Sequence, residues 1–368
     1  MDTTDPDISF DEKGECNHCT KAIEMVRVLD IGTEERKEQL EQVVASIKQQ
    51  GKDNRYDCII GLSGGIDSSY VAYTVKKLGL RPLAIHLDNG WNSELAVNNI
   101  EKLVKQLDID LYTHILDWDE FKNLQAAFLK ANVPDGEIPT DHAIVALIYK
   151  MAIKENIKTI ISGWNTHTES ILPRLWAFGH ADWRYIKGIQ KRFGNRKLKT
   201  FPHYNFLQCH LTYPYIRKIR SVRILEYLDY NKEAAMTTLE DELGWQYYGG
   251  KHYESIYTRF YQGCLLPEKF NIDKRKAHYS SLICANQMTR NDAIQLLQQP
   301  TYDPQKQEED KLFVQKKLSL SPNEFEKTLN AKCQTHEDYP SYEPLINILR
   351  PIYHFAKRKG SFRKKEWF

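Results

Sequence analysis

The sequence has little that would mark a membrane or secreted protein. Its longest nearly uncharged apolar run, residues 143–149, is far shorter than the ~20 residues a membrane-spanning helix needs. Met1, Asp2, Asp5 and Asp7 make an acidic start without an apolar stretch, so no secretory signal is expected and the chain reads as cytoplasmic. An excess of one charge is also missing: 51 Lys plus Arg stand against 49 Asp plus Glu, a formal net charge of +2. That balance argues against a globally basic surface for gripping nucleic acid. The seven cysteines are odd in number and scattered, so no disulfide framework is expected. What remains is a chain of 368 residues, 41% hydrophobic and 27% charged, with enough apolar material for a packed core and the length of about two domains.

Three regions follow from the hydropathy pattern. Residues 1–50 form a leader: an acidic loop, then Cys16-Asn17-His18-Cys19, then a helix over 34–50 with Leu40, Val43, Val44 and Ile47 on one apolar stripe. Residues 51–218 alternate short apolar runs with amphipathic segments. Strands are expected at 58–62, 82–87, 111–116 and 158–162, and helices at 68–78, 93–107 and 141–155. This alternation predicts an α/β fold, a doubly wound, mostly parallel sheet covered on both faces. Ligands in such sheets bind beyond the carboxyl ends of the strands. Residues 171–218 are rich in aromatic and basic side chains, and the stretch from Trp176 to Trp183 reads as a packed flap rather than a base-stacking platform, or as a sugar-binding lid. Residues 219–368 read as a mostly helical C-terminal region with a basic tail, seven Lys or Arg against one Glu from Arg350 onward. That tail is either a solvated end or a docking segment.

Between the first expected strand and its helix stands Ser63-Gly64-Gly65-Ile66-Asp67-Ser68-Ser69. Adjacent glycines remove the Cβ atoms that would hold a phosphate off the backbone, and they permit positive φ. The turn feeds a helix N-terminus, whose unpaired N–H groups and dipole attract an anion. Ser63, Ser68 and Ser69 add hydroxyl donors. A carboxylate facing phosphate would repel it, so Asp67 is expected to hold Mg²⁺ that bridges to the phosphate oxygens. Two other phosphate loops are excluded by spelling. No lysine occurs between Gly61 and Ser69, as a Walker A loop would need, and Gly61, Gly64 and Gly65 do not fit a dinucleotide fingerprint.

With this spelling the chain resembles the N-type ATP pyrophosphatases, the PP-loop superfamily that includes GMP synthetase, asparagine synthetase, NAD synthetase and several tRNA-modifying enzymes. The resemblance implies an adenine nucleotide alpha hydrolase-like fold and cleavage of ATP between its α- and β-phosphates. It implies that Ser63, Gly64, Gly65, Asp67, Ser68 and Ser69 cradle the pyrophosphate, that His86, Leu87 and Asp88 pass the adenine, and that Gly163 approaches the nucleotide. Further landmarks resemble the N-acetyl sugar amidotransferases: Thr140-Asp141-His142-Ala143, Ile161-Ser162-Gly163-Trp164-Asn165-Thr166-His167-Thr168-Glu169 and Gly250-Lys251-His252-Tyr253-Glu254-Ser255. Phe270-Asn271-Ile272-Asp273-Lys274-Arg275-Lys276-Ala277-His278 and Met288-Thr289-Arg290 belong to the same set. That group, similar to PseA and WbpG, acts in bacterial lipopolysaccharide and nonulosonic (pseudaminic) acid pathways, and the resemblance runs over about residues 5–300.

The implied reaction is the conversion of an acetamido sugar to its acetamidino derivative. An amide oxygen is a very poor leaving group; transfer of AMP to it makes an O-adenylyl imidate, which ammonia attacks with release of AMP. Ser63, Asp67, Lys274 and Arg275 are the expected catalytic set, screening phosphate charge and positioning two substrates. The chain has no recognisable glutaminase of its own: residue 2 is Asp rather than Cys, and Gly263-Cys264-Leu265 lacks the spacing of a nucleophile elbow. The family resemblance implies a separate partner similar to the glutaminase and cyclase-barrel subunits of imidazole glycerol phosphate synthase. The alternative is a PP-loop enzyme that adenylates a tRNA base, against which the near-neutral charge counts; neither nucleic acid nor membrane is an expected partner.

Other residues carry two readings each. Cys16 and Cys19 are either half of a tetrahedral Zn²⁺ site or two free surface thiols. The family pattern has a second cysteine pair just before the acidic loop, so a start at Met1-Asp2-Thr3-Thr4-Asp5 is expected to be truncated or an internal Met. Lys251, Arg259, Lys269, Lys274 and Arg275 bind phosphate or an acidic sugar, or solvate helix faces. Asn165 and Glu169, beside Gly163, are expected at the substrate. Asp141 is a substrate contact or a helix N-cap, and Asp88 a nucleotide neighbour or a strand-end turn residue.

Overall fold

The computed structural model describes residues 1–29, 32–250 and 253–348. Lys251 and the basic tail lie outside these residues. The leader contributes α1 (Asn17–Leu29) and α2 (Thr33–Gly51). There follow β1 (Cys58–Gly61), α3 (Ile66–Lys77), β2 (Pro82–Asp88), α4 (Glu94–Gln106), β3 (Asp110–Ile115), α5 (Trp118–Ala131), α6 (Ile138–Lys154) and β4 (Thr159–Ser162). A single turn α7 (Thr166–Glu169), α8 (Trp183–Phe193) and β5 (Arg220–Arg223) complete the sheet region, followed by α9 (Lys232–Leu243).

All strand pairs are parallel and the order is β3-β2-β1-β4-β5. The chain runs outward from β1 to β3 and then returns to the other side of β1 with β4. The order therefore reverses between β1 and β4, and the crevice beyond their carboxyl ends is where ligands enter such sheets. Period-2 alternation divides the strand side chains between two cores. Ile60 packs with Val44, Ile47, Val71, Val75, Ile100 and Leu239 from α2, α3, α4 and α9 on one face. Ile59 packs on the other with Phe121, Phe128, Leu147 and Ile186 from α5, α6 and α8.

Beyond α9 the chain is helical: α10 (Ile256–Phe260), a π-helical turn Tyr261–Leu265, α11 (Leu266–Phe270), α12 (Lys274–Cys284), α13 (Arg290–Leu297), α14 (Pro304–Lys317) and α15 (Pro322–Leu329). Phe260, Tyr261, Leu266 and Phe325 are buried in the same core as Phe121 and Phe128. The C-terminal helices thus share the core of the sheet domain.

The doubly wound sheet and the helical C-terminal region agree with expectation. Three details differ. β5 lies past the expected boundary at 218, because Arg220-Ser221-Val222-Arg223 has one buried apolar residue and leaves no hydropathy signal at this sheet edge. α2 contributes Val44 and Ile47 to the sheet core, so the leader is part of the domain. α5 was not anticipated, although Asp117 accepts from the Glu120 N–H at 3.0 Å as its N-cap.

One buried carboxylate ties α5 to the connection after α8. Glu120, 8% exposed, accepts the backbone N–H groups of Lys199 at 2.9 Å, Thr200 at 3.0 Å and Phe201 at 3.1 Å. Removing it strands three donors, which cost about 1–3 kcal/mol each when left unmade in a buried place. Glu120→Ala is expected to lower the unfolding free energy in a urea titration by roughly 3 kcal/mol, water replacing part of what is lost.

Candidate active site

The turn after β1 is shaped by a steric limit. Gly64 has φ +83°, and a Cβ there would lie 2.8 Å from the Ala96 carbonyl oxygen of α4. Glycine alone relieves both constraints. Trp245 Nε1 donates to the Gly64 carbonyl at 3.0 Å and fixes the turn from the C-terminal side. The Gly65 N–H donates to Ser63 Oγ at 3.2 Å, Ser63 Oγ and Ser68 Oγ lie 3.1 Å apart, and the Ser68 hydroxyl donates to the Gly65 carbonyl at 3.1 Å. α3 then begins without a cap from its own N-cap residue, Gly65, and its first N–H, that of Ile66, donates to Tyr248 Oη at 3.3 Å. Tyr230 Oη donates to Asp67 in the first turn of α3 at 2.5 Å. Burial and the Asp67 and Glu169 charges push the Tyr230 pKa far up, so its proton stays on.

Above the turn lies a cavity of about 460 Å³. The sheet region contributes Ser63, Ser68, His86, Leu87, Asn89, Asn92, Asp135, Glu137, Thr140 and Asp141; the C-terminal region contributes Glu254, Ser255, Thr258, Gln262 and Lys274. A second lobe of about 250 Å³ is lined by Trp164, Glu169, Leu172, Gln262, Lys274 and His278. Leu172, Gln262 and Lys274 border both lobes. At that border Gln262 Nε2 donates to Glu137 Oε2 at 2.5 Å, and Lys274 Nζ lies 3.9 Å from the same oxygen. Burial lifts the Asp135 carboxyl to about 6, with Lys274 opposing the rise and Glu137 adding to it. His86 lies 2.9 Å from the Leu62 carbonyl through Nδ1 and 3.1 Å from Asn92 Nδ2 through Nε2, a pattern that puts its proton on Nδ1. Arg223 lies over the Trp164 ring at 3.8 Å. A separate cavity of about 360 Å³, lined by Arg174, His180 and Tyr204 among others, shares no residue with these lobes.

The structure brings many of the expected residues together. Ser63, Ser68, His86, Leu87, Asp141 and Lys274 line the first lobe, Glu169 and Lys274 the second. Gly163 packs on the PP-loop helix, where a Cβ would sit 3.4 Å from the Asp67 carbonyl carbon. Asp141 lies in the first turn of α6 and is not its N-cap, a position held by Glu137.

Others are placed elsewhere, and all but Ser69 have a structural occupation. Ser69 is fully buried in α3. Asp88 Oδ1 accepts from the Gly90 N–H at 2.9 Å as a strand-end turn residue. Asn165 is buried and caps α7, accepting from the Thr168 N–H at 3.0 Å and its hydroxyl at 3.1 Å. Lys269 donates to Asn132 and to the carbonyls of Thr328 at 2.8 Å and Leu329 at 2.7 Å, the open end of α15. Arg275 forks onto Asp273 and donates to the Gln299 and Pro300 carbonyls at 3.0 and 3.3 Å. Arg259 is paired with buried Asp310 at 2.7 Å. These cations hold helix ends and loops rather than the cavity.

Cys16 and Cys19 have their sulfurs 3.4 Å apart, with Cys284 beside them. The hydrogen bond that Cys19 donates to Cys284, with burial, holds the proton on Cys19, and burial does so on Cys16. His18 turns to Asp5 at 2.5 Å. Among the described residues no group of three or more His, Cys, Asp or Glu is arranged to hold a metal, so the zinc expectation finds no support. Tyr230, Tyr248 and Glu254 are site residues that sequence reasoning did not single out. The two tyrosines lie in stretches without motif or periodicity, and Glu254 stood only within a longer landmark.

Comparisons with known proteins agree with this architecture. Residues 34–132 match the NAD synthase family, and residues 254–353 match the C-terminal domain of LPS biosynthesis protein WbpG-like sequences. The chain therefore joins an NAD-synthase-type PP-loop domain to a WbpG-like C-terminal domain. No curated protein matches it. Among solved structures, NMN synthetase from Francisella tularensis is 16% identical, covering 70% of this chain and 94% of its own, with a TM-score of 0.31. The NH3-dependent NAD synthetase from Campylobacter jejuni subsp. jejuni NCTC 11168 is 17% identical, covering 79% and 98%, also at 0.31. At those scores neither likeness carries an argument. Among the described residues no helix is long and apolar enough to cross a membrane.

Asp135 generates a pH prediction. A carboxyl lifted by burial to about 6, from an ordinary 3.8, holds its proton more tightly when folded. Stability is then lost as pH rises through that window. Asp135→Asn is expected to unfold at higher urea than wild type at pH 7.5, with the difference vanishing near pH 4; equal midpoints at both pH values would contradict the assignment.

Proposed function

We propose that this protein is an ATP-dependent amidotransferase that converts an acetamido group on a bacterial surface sugar to an acetamidino group, releasing AMP and pyrophosphate. The observation that supports it most is that the WbpG-like region and the PP-loop turn line one cavity, with Glu254, Ser255, Thr258, Gln262 and Lys274 facing Ser63 and Ser68. A nucleotide held in the first lobe meets an acceptor in the second across Gln262 and Lys274, which border both.

In this reading the N–H groups at the start of α3, with the Ser63 and Ser68 hydroxyls, receive the diphosphate of ATP. The acetamido oxygen attacks the α-phosphorus, the bond to the bridging oxygen breaks, and pyrophosphate leaves. Ammonia then adds to the imidate carbon; the carbon–oxygen bond breaks, AMP departs with the electron pair, and a proton from nitrogen passes to solvent. Lys274 lines the same lobe as Ser63 and Ser68 and, in this reading, meets the negative charge that builds on the transferred adenylyl group. Ammonia comes from a separate glutaminase subunit. Asp67 and Glu169, whose charges both act on Tyr230, are the hard oxygen donors a magnesium ion prefers, and they would hold it. When bound it would neutralise phosphate charge.

Incubation with ATP, magnesium, ammonium and UDP- or CMP-linked acetamido sugars, against bulk tRNA, is the direct test. AMP and pyrophosphate are expected with a sugar only; ADP in their place, or AMP with tRNA only, would overturn the proposal. Asp67→Ala is expected to lower AMP formation by at least about 100-fold with an unchanged circular dichroism spectrum.

A further inference from the structure

The anion-binding side of the turn already holds a carboxylate. Glu254 Oε1 accepts from Ser63 Oγ at 3.4 Å. A Cβ built on Gly65 would lie 3.1 Å from Glu254 Oε1, 3.2 Å from Ser63 Oγ and 3.2 Å from Tyr248 Oη, so three oxygens converge on the open side of Gly65. Tyr248 Oη also accepts the Ile66 N–H at 3.3 Å, one of the donors at the start of α3 that a phosphate oxygen would take. Burial and the neighbouring Glu254 keep the proton on that phenol, so Glu254 brings the negative charge. Asp67, the acidic residue of the turn itself, is engaged by Tyr230.

We infer that Glu254 is an internal competitor of the diphosphate: its carboxylate occupies the anion position of the turn until the nucleotide displaces it. The inference rests on the ATP reading above and concerns the regulation of the same site. A carboxylate and a diphosphate in contact with the same hydroxyl repel each other across a half-buried cavity, where charges are screened less than in water. One of them must leave. The backbone of Glu254 is held: its carbonyl accepts from the Ser93 N–H at 2.8 Å, Ser255 bridges to Asn92, and Ser255 Oγ caps α10 through the Thr258 N–H at 3.2 Å. The displacement is therefore a rotation of the Glu254 side chain.

Calorimetric titration of the full chain with pyrophosphate in EDTA separates the possibilities. Glu254→Gln keeps the shape and removes the charge, and is expected to bind at least about fivefold more tightly than wild type. Glu254→Ala, checked by its melting curve, is expected to gain in the same direction and serves if the first variant misfolds. Equal or weaker binding by a folded variant would overturn the inference. So would a loss confined to Mg-ATP, which would make Glu254 a cation ligand. If wild type binds neither pyrophosphate nor ATP, the nucleotide reading falls and takes this inference with it. If wild type binds and the variants do not tighten, the Glu254 inference alone falls.

Discussion

The close approach of the Gly64 backbone to α4 is the constraint on which the site depends. A positive φ and a 2.8 Å clearance to the Ala96 carbonyl oxygen leave no room for a side chain. That approach sets the direction in which α3 departs from β1, and with it the aim of its N-terminus. The reversal of strand order between β1 and β4 opens the sheet at the same place. Local backbone geometry and global topology thus converge on one crevice, and neither alone would make a binding site.

The crevice is finished by a region distant in sequence. Trp245 holds the turn, Tyr230 holds Asp67, and Glu254, Gln262 and Lys274 close the cavity. These contacts are possible because the C-terminal helices share the apolar core of the sheet domain, with Phe260 and Phe325 packed among Phe121 and Phe128. A shared core has a mechanical consequence: the C-terminal wall of the cavity cannot drift far from the sheet wall without exposing apolar surface.

Basic residues illustrate how tertiary structure sorts equivalent sequence signals. Lys269, Lys274 and Arg275 lie within seven residues of one another. Lys269 and Arg275 are consumed by carbonyls at the ends of helices, where a cation complements the dipole, whereas Lys274 opens α12 toward the cavity. Charge and composition cannot distinguish the three, because the difference lies in which carbonyls happen to be near.

The amino-acid sequence alone determined the parallel α/β architecture and the place of the glycine turn with its serines. Those features are written in short-range patterns: β1, β2 and β4 are apolar runs, α4 has a 3.6-residue stripe, and the glycines of the turn are adjacent. Only the tertiary structure decided that Ser69 is buried, that Asp88 and Asn165 serve the scaffold, that β5 extends the sheet, and that Tyr230, Tyr248 and Glu254 face the turn. The physical reason is separation along the chain. Glu254 meets Ser63 across 191 residues, and a contact of that range depends on the packing of every element between them.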